Sequence, residues 1–191
     1  MAEHFEVPNL PKDTVFYVSS AISIACPAYH AYRIMCDTST WPDWCTFVPK
    51  ADVTPPKGHT GRSEVLVKDT KMTLHVSLGS GAPAFAPRMQ NEQVVEASAG
   101  SENGTLRISW SQVTMPKFVM RTLRVNEFEP GVDNGGASCQ YRTWIQMAGP
   151  MAYTVKAVVS TVLQARFDDW SQDLKRYAEK TWHEEMKVQI N

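Results

Sequence analysis

The chain has 191 residues, with 19 Lys and Arg against 20 Asp and Glu and a net charge of -1. That length predicts one domain able to bury a core without metal or disulfide support, and the balanced charge excludes a general electrostatic pull toward nucleic acid or an anionic membrane. Residues 1–13 hold Glu3, Glu6, Pro8 and Pro11 without an apolar run and read as an N-terminal extension rather than a secretory signal, while no stretch approaches the roughly 20 apolar residues of a membrane span.

A cytoplasmic protein with a single domain over residues 14–187 is therefore expected. Cys26, Cys36, Cys45 and Cys139 show neither CxxC spacing nor a histidine pattern, so they read as reduced, buried thiols rather than as zinc ligands or a disulfide framework.

In chain order, residues 14–25 are rich in Val, Ile, Phe and Tyr and predict a first strand, and Pro27 follows as a natural first helical residue. A short helix is expected from there to about Cys36. Asp37-Thr38-Ser39-Thr40-Trp41-Pro42-Asp43-Trp44 offers caps and a proline for a second short helix or turn. Strands are then predicted near residues 46–54, 62–69, 72–78, 93–98, 106–113, 118–128 and 137–147. Asn103-Gly104 and Asp133-Asn134-Gly135-Gly136 mark tight reversals, which make their flanking strands antiparallel. The segment from Gly79 to Pro87 is rich in Gly and Pro and carries a lone Phe85. It reads either as a gate with an apolar tip or as an irregular solvent loop.

From Gly149 to Met186 the pattern is one long helix. Its apolar stripe is Val155, Val159, Leu163, Phe167, Trp170, Leu174 and Tyr177, at spacings of four, four, four, three, four and three. Only the upstream strands can cover that stripe, so the fold class is α+β, a curved antiparallel sheet of about seven strands wrapped around the helix. A sheet so curved can leave a hollow against the helix.

Several stretches carry a resemblance. Ser23-Ile24-Ala25-Cys26-Pro27-Ala28 with the Trp41-Pro42-Asp43-Trp44 turn, and later Glu127-Phe128-Glu129-Pro130, Cys139-Gln140-Tyr141-Arg142-Thr143-Trp144, Ala148-Gly149-Pro150-Met151-Ala152-Tyr153 and Asp173-Leu174-Lys175, resemble the START-like or Bet v 1-like superfamily. This is also called SRPBCC or polyketide cyclase/lipid transport, and the likeness is strongest to fungal members of unassigned activity. It spans most of residues 14–180 and implies a helix-grip fold with a largely apolar cavity. It implies no single reaction.

No nucleophile elbow, phosphate loop, metalloprotease helix or dinucleotide fingerprint occurs, so neither cofactor nor metal is expected. Among the five histidines, His30 falls on the first short helix, and His75 points away from the apolar set of its strand. The strand at 118–128 places Val119, Arg121, Leu123 and Val125 on one face and Met120, Thr122, Arg124 and Asn126 on the other. Either Arg121 or Arg124 therefore shares a face with apolar neighbours. It reads as a guanidinium holding a carboxylate or enolate in a dry pocket, or as a stem that packs while its head reaches solvent.

In the last strand Cys139, Tyr141, Thr143, Ile145 and Met147 share the helix-facing side, and Trp110 belongs to a similar inward set. They are core, or they are a cavity wall in which Tyr141 joins the arginine in catalysis. In that wall Trp110, Thr143, Ile145, Met147, Phe85, Val159 and Leu163 would contact the ligand. The leading expectation is a protein that encloses a bulky hydrophobic small molecule, with or without its cofactor-independent cyclisation or rearrangement in secondary metabolism. A noncatalytic carrier of a lipid, quinone or other hydrophobe is the alternative, and a protein-interaction module with a closed cavity is the third. An interior filled by aromatic rings favours the third, an open apolar cavity the second, and polar groups converging on one spot the first.

Overall fold

The structure is a computed structural model, and it describes residues 3–7, 10–79, 82, 86, 88–98, 104–133 and 136–190. The first strand, β1 (Thr14–Ile24), leads through Pro27 into helix α1 (Ala28–Cys36). A 3-10 turn (Thr38–Thr40) follows, with Asp37 accepting from the Ser39 backbone, and then the short helix α2 (Trp41–Trp44). Strands β2 (Lys50–Thr54), β3 (Lys71–His75), β4 (Met89–Ala97), β5 (Leu106–Gln112), β6 (Arg121–Asp133) and β7 (Gly136–Ala148) come next, and α3 (Pro150–Ile190) closes the chain. Among the described residues the seven strands form one antiparallel sheet in the order β1-β7-β6-β5-β4-β3-β2.

One expected strand does not form. Residues 62–69 carry the β-favouring run Val65-Leu66-Val67, but their backbone bonds go back to the end of α1: Thr38 donates to the Glu64 carbonyl and Leu66 donates to the Cys36 carbonyl. Asp69 then adopts a φ of 68°, which a short polar residue tolerates and which ends any extended run. The join from β7 to α3 is sharp. Gly149 has a φ of 95°, and a Cβ there would sit 2.6 Å from the Val119 carbonyl oxygen, so the chain turns into Pro150 at a position open to glycine alone.

Helix α3 lies along β1 and sends side chains to that strand's free backbone edge. Gln164 donates to the Ser19 carbonyl at 2.9 Å, Lys175 donates to the Ser23 carbonyl at 2.6 Å, and Glu179 accepts from Ala25 N–H just past the strand at 2.8 Å. The stripe is buried through its middle, at Leu163, Phe167, Trp170 and Leu174, whereas Val155 and Val159 near the start and Tyr177 at the end are only half-buried. On the opposite face of the sheet, Val7 is buried against Val125 and Trp144, with Phe5 and Leu10 beside it. Phe5, Val7 and Leu10 thus serve as a strap across the sheet, and Glu3 pairs with Ala21 at the β1 edge.

Candidate functional site

Strand β6 positions the arginine. Its register pairs Arg124 with Trp110 on β5 and with Ile145 on β7, in the centre of the sheet, and its alternation turns Thr122, Arg124 and Asn126 toward α3 while Val125 faces the strap. Arg124 is 5% exposed. Its guanidinium carbon lies 4.1 Å from the ring centre of Trp170, 4.4 Å from Phe167, 5.5 Å from Trp110 and 5.8 Å from Phe47. Burial lowers its pKa, opposed by the fields of Tyr141, Cys45 and Glu92, yet an arginine keeps its proton at any ordinary pH. The result is a cation in an aromatic box.

A buried acid stands nearby. Glu92 shares the inner face of β4 with Val94, and it pairs with Gln112, whereas Val94 pairs with Trp110 and Trp110 with Arg124. The two ionisable residues therefore occupy adjacent rows, two strands apart. Glu92 is 4% exposed, and burial pushes its carboxyl up to about 8 against the lowering field of Arg124.

Beside them runs a hydrogen-bonded chain. Trp170 Nε1 donates to the Tyr141 hydroxyl at 2.9 Å, which in turn donates to Asn126 Oδ1 at 2.7 Å. Thr143 Oγ1 lies 2.9 Å from the same Oδ1 and 3.0 Å from the Val125 carbonyl. Because the Tyr141 proton is directed at Oδ1, the Asn126 amide nitrogen points elsewhere. Among the described residues, five polar atoms of this interior are buried with no hydrogen-bond partner: Arg124 Nε, Arg124 Nη2, Glu92 Oε2, Asn126 Nδ2 and the Oγ of Ser20, which shares a sheet row with Thr143 and Asn126. Each such atom costs on the order of 1–3 kcal/mol, more when charged, and the rings around Arg124 return on the order of 2 kcal/mol. The deficit is one that a ligand with matching polar atoms would remove.

The expected site residues separate as follows. Arg124, Trp110, Tyr141, Thr143, Ile145, Met147 and Leu163 are all buried, and Arg124 is the arginine that turns inward. Arg121 points away from this interior and forms an ion pair with Asp13. Val159 is half-buried and lies outside the main core cluster, and Phe85 lies outside the described residues, as does most of the expected gate. What is described there is a recess of about 450 Å³ lined by Val76, Leu78, Gly79, Ala82, Ala86 and Arg88.

His30 takes part in packing between α1 and α3, bonded to Thr181 Oγ1 at 2.9 Å, and His75 is bonded to Asp52 at 2.6 Å. Among the described residues no group of three or more His, Cys, Asp or Glu side chains could hold a metal ion, and no helix is long and apolar enough to cross a membrane. Sequence reasoning missed Glu92, Phe47 and the role of Trp41, which stacks edge-on against Trp170 with ring centres 5.4 Å apart. The available signal for Glu92 was its spacing of two from Val94, one residue outside the predicted strand.

Comparison with known proteins fixes the family. No family model matches the chain. Over 154 residues it is 32% identical to the oxopyrrolidines biosynthesis cluster protein O of Penicillium oxalicum, covering 73% of this chain and 74% of that protein. Among solved structures, a hypothetical protein of Helicobacter pylori superimposes with a TM-score of 0.66 at 14% identity, over 91% of this chain and 97% of its own. A point mutant of norcoclaurine synthase from Thalictrum flavum gives 0.59 at 10% identity, over 88% and 97%. An aromatase/cyclase from Streptomyces sp. R1128 gives 0.55 at 13%, over 86% and 94%. With its seven-stranded curved sheet, two short helices after β1 and long closing helix, the chain has the START-like or Bet v 1-like helix-grip fold of these structures, and it belongs to the family of the Penicillium protein.

Proposed function

We propose that the chain binds a small molecule with a flat apolar body and at least one carbonyl or carboxylate oxygen, and promotes its rearrangement without a cofactor. One observation carries this reading: the Nε and Nη2 groups of the buried Arg124 have no partner in a box of four aromatic rings. A charged donor pair in a dry aromatic site binds an oxygen acceptor strongly, and more strongly as negative charge develops on it. The rings hold the apolar body against that point, which is catalysis by orientation.

The names of similar proteins support the same class of reaction. An oxopyrrolidine, the product class in the Penicillium protein's name, is a cyclic amide with a ring carbonyl, and two of the structural likenesses are a synthase and a cyclase. A second reading has its own support. Trp41, Trp44, Trp110 and Trp170 occupy much of the space between sheet and helix, as a grip closed on itself for protein interaction would require.

Native mass spectrometry of the purified chain, with extraction of any bound compound, separates the two. A carbonyl-bearing ligand retained by wild type and bound at least tenfold more weakly by Arg124→Met supports the ligand reading. Equal binding by both proteins, or an empty wild type with a tight protein partner, replaces it with the second.

A further inference from the structure

Glu92 is a buried carboxyl on the inner face of β4, in the row next to Arg124, with Oε2 unpartnered. Packing alone does not call for it. Its alternation neighbour Val94 is completely buried, and an apolar residue at 92 would extend that face without the cost of a buried acid. Among the described residues the charged side chain acting on Glu92 is Arg124, and Tyr141 and Cys45 act in turn on Arg124. A guanidinium and a titratable carboxyl in one dry interior, each with atoms left unpartnered, form an incomplete arrangement. A guest that accepts at Arg124 and exchanges a proton at Glu92 would complete it.

We propose that Glu92 and Arg124 form an enolising pair, and that the substrate class is a ketone or related carbonyl compound with an acidic α C–H and an aromatic or apolar body. This rests on the ligand reading proposed for the aromatic box. In the forward step the carboxylate of Glu92 takes the α proton. The C–H bond breaks, and its electron pair forms the C=C bond of the enolate. The carbonyl π pair moves onto oxygen, where Nε–H and Nη2–H of Arg124 hold the negative charge. Glu92 is then neutral and returns its proton to carbon, the enolate oxygen pair re-forming the carbonyl as the C=C pair makes the new C–H bond.

Charge is conserved throughout, since carboxylate and guanidinium become carboxylic acid, guanidinium and enolate. Such a base works best with a pKa near the working pH, and burial moves this carboxyl in that direction, to about 8. The Asn126 Nδ2 donor, unpartnered on the face of β6 that carries Arg124, is placed to take a second oxygen of a β-dicarbonyl guest.

The test uses the full chain with 4-phenylbutan-2-one and 2-acetonaphthone as probes. Binding is read by saturation-transfer NMR, and exchange of the α protons with D2O is read by proton NMR. Wild type should bind and accelerate exchange. Glu92→Gln, which preserves shape, should retain binding and lose about 100-fold or more of the acceleration, whereas Arg124→Met should lose both.

Exchange by Glu92→Gln as fast as by wild type, or binding to wild type without exchange, overturns the enolising pair and leaves the ligand reading standing. Failure of wild type to bind either probe overturns the ligand reading and this proposal with it. Carbon NMR of the Glu92 carboxyl provides a second measurement independent of the probes. A raised titration supports the base, and titration in the ordinary carboxylate range removes it from the scheme.

Discussion

Burial of an acid leaves a thermodynamic signature. The Glu92 carboxyl is raised by desolvation from the ordinary 4.5 to about 8, so between those values the folded chain binds a proton that the unfolded chain has released. Stability must then fall as pH rises through that window, at up to roughly 1.4 kcal/mol per unit. Chemical denaturation of wild type and Glu92→Gln from pH 4.5 to 9 should show wild type losing stability relative to the variant as pH rises, with the difference levelling above pH 8. Parallel profiles would mean that Glu92 is solvated.

The opposite sign applies to His30, whose pKa is lowered chiefly by burial, against the raising field of Glu185. Its contribution is present above the ordinary value of 6.5 and is lost as pH falls below it, so His30→Gln should flatten the acid side of the same profile. At this scale the sequence was legible by half. Alternation reduced the choice to Arg121 or Arg124 but did not decide it, because both faces of β6 are covered, one by α3 and the other by the strap. A strand buried on two sides loses the contrast on which a period-2 pattern depends.

Among the elements, α3 divides by energy. Phe167 and Trp170 are completely buried or nearly so and pack against Phe47 and, for Trp170, the Trp41–Trp44 pair. Phe167→Ala should cost about 3–5 kcal/mol in denaturant unfolding, whereas Val159→Ala, on the half-buried section, should stay within about 0.5 kcal/mol. Equal costs at both would mean that the helix is buried evenly along its length. Gly149→Ala at the preceding turn combines a φ of 95° with a 2.6 Å approach to the Val119 carbonyl. It should cost about 1–3 kcal/mol from the backbone alone, with a matching drop in the thermal midpoint.

The stripe of α3 was legible because seven apolar residues recur at helical spacing. The false strand at 62–69 arose from the β-favouring run Val65-Leu66-Val67, whose backbone partners lie in residues 36–38 rather than in a neighbouring strand. Local pattern carries no record of where a distant hydrogen bond ends.

For the molecule as a whole, the long helix and the wrapped sheet followed from pattern alone, but the aromatic packing between them did not. Trp41, Trp44, Trp110 and Trp170 are spread over about 130 residues, and only the closed fold assembles them. The strap was equally invisible, since Phe5, Val7 and Leu10 are three apolar residues in a polar segment. Deleting residues 1–10 should lower stability by at least about 1.5–3 kcal/mol from Val7 alone and raise binding of a hydrophobic dye at Val125 and Trp144. Unchanged stability would make the strap ornamental.

The side chains that α3 sends to β1 have a further consequence. An open sheet has two borders at which another polypeptide can add a strand, and such borders are routes to aggregation. Here one border has its Ser19 and Ser23 carbonyls occupied by Gln164 and Lys175, with Glu3 paired to Ala21 between them. The other, β2, is five residues long and carries an exposed Lys50–Asp52 ion pair. Neither border offers a long template of free backbone groups, so the protein guards itself against edge-to-edge association with polar side chains that contribute little to its core.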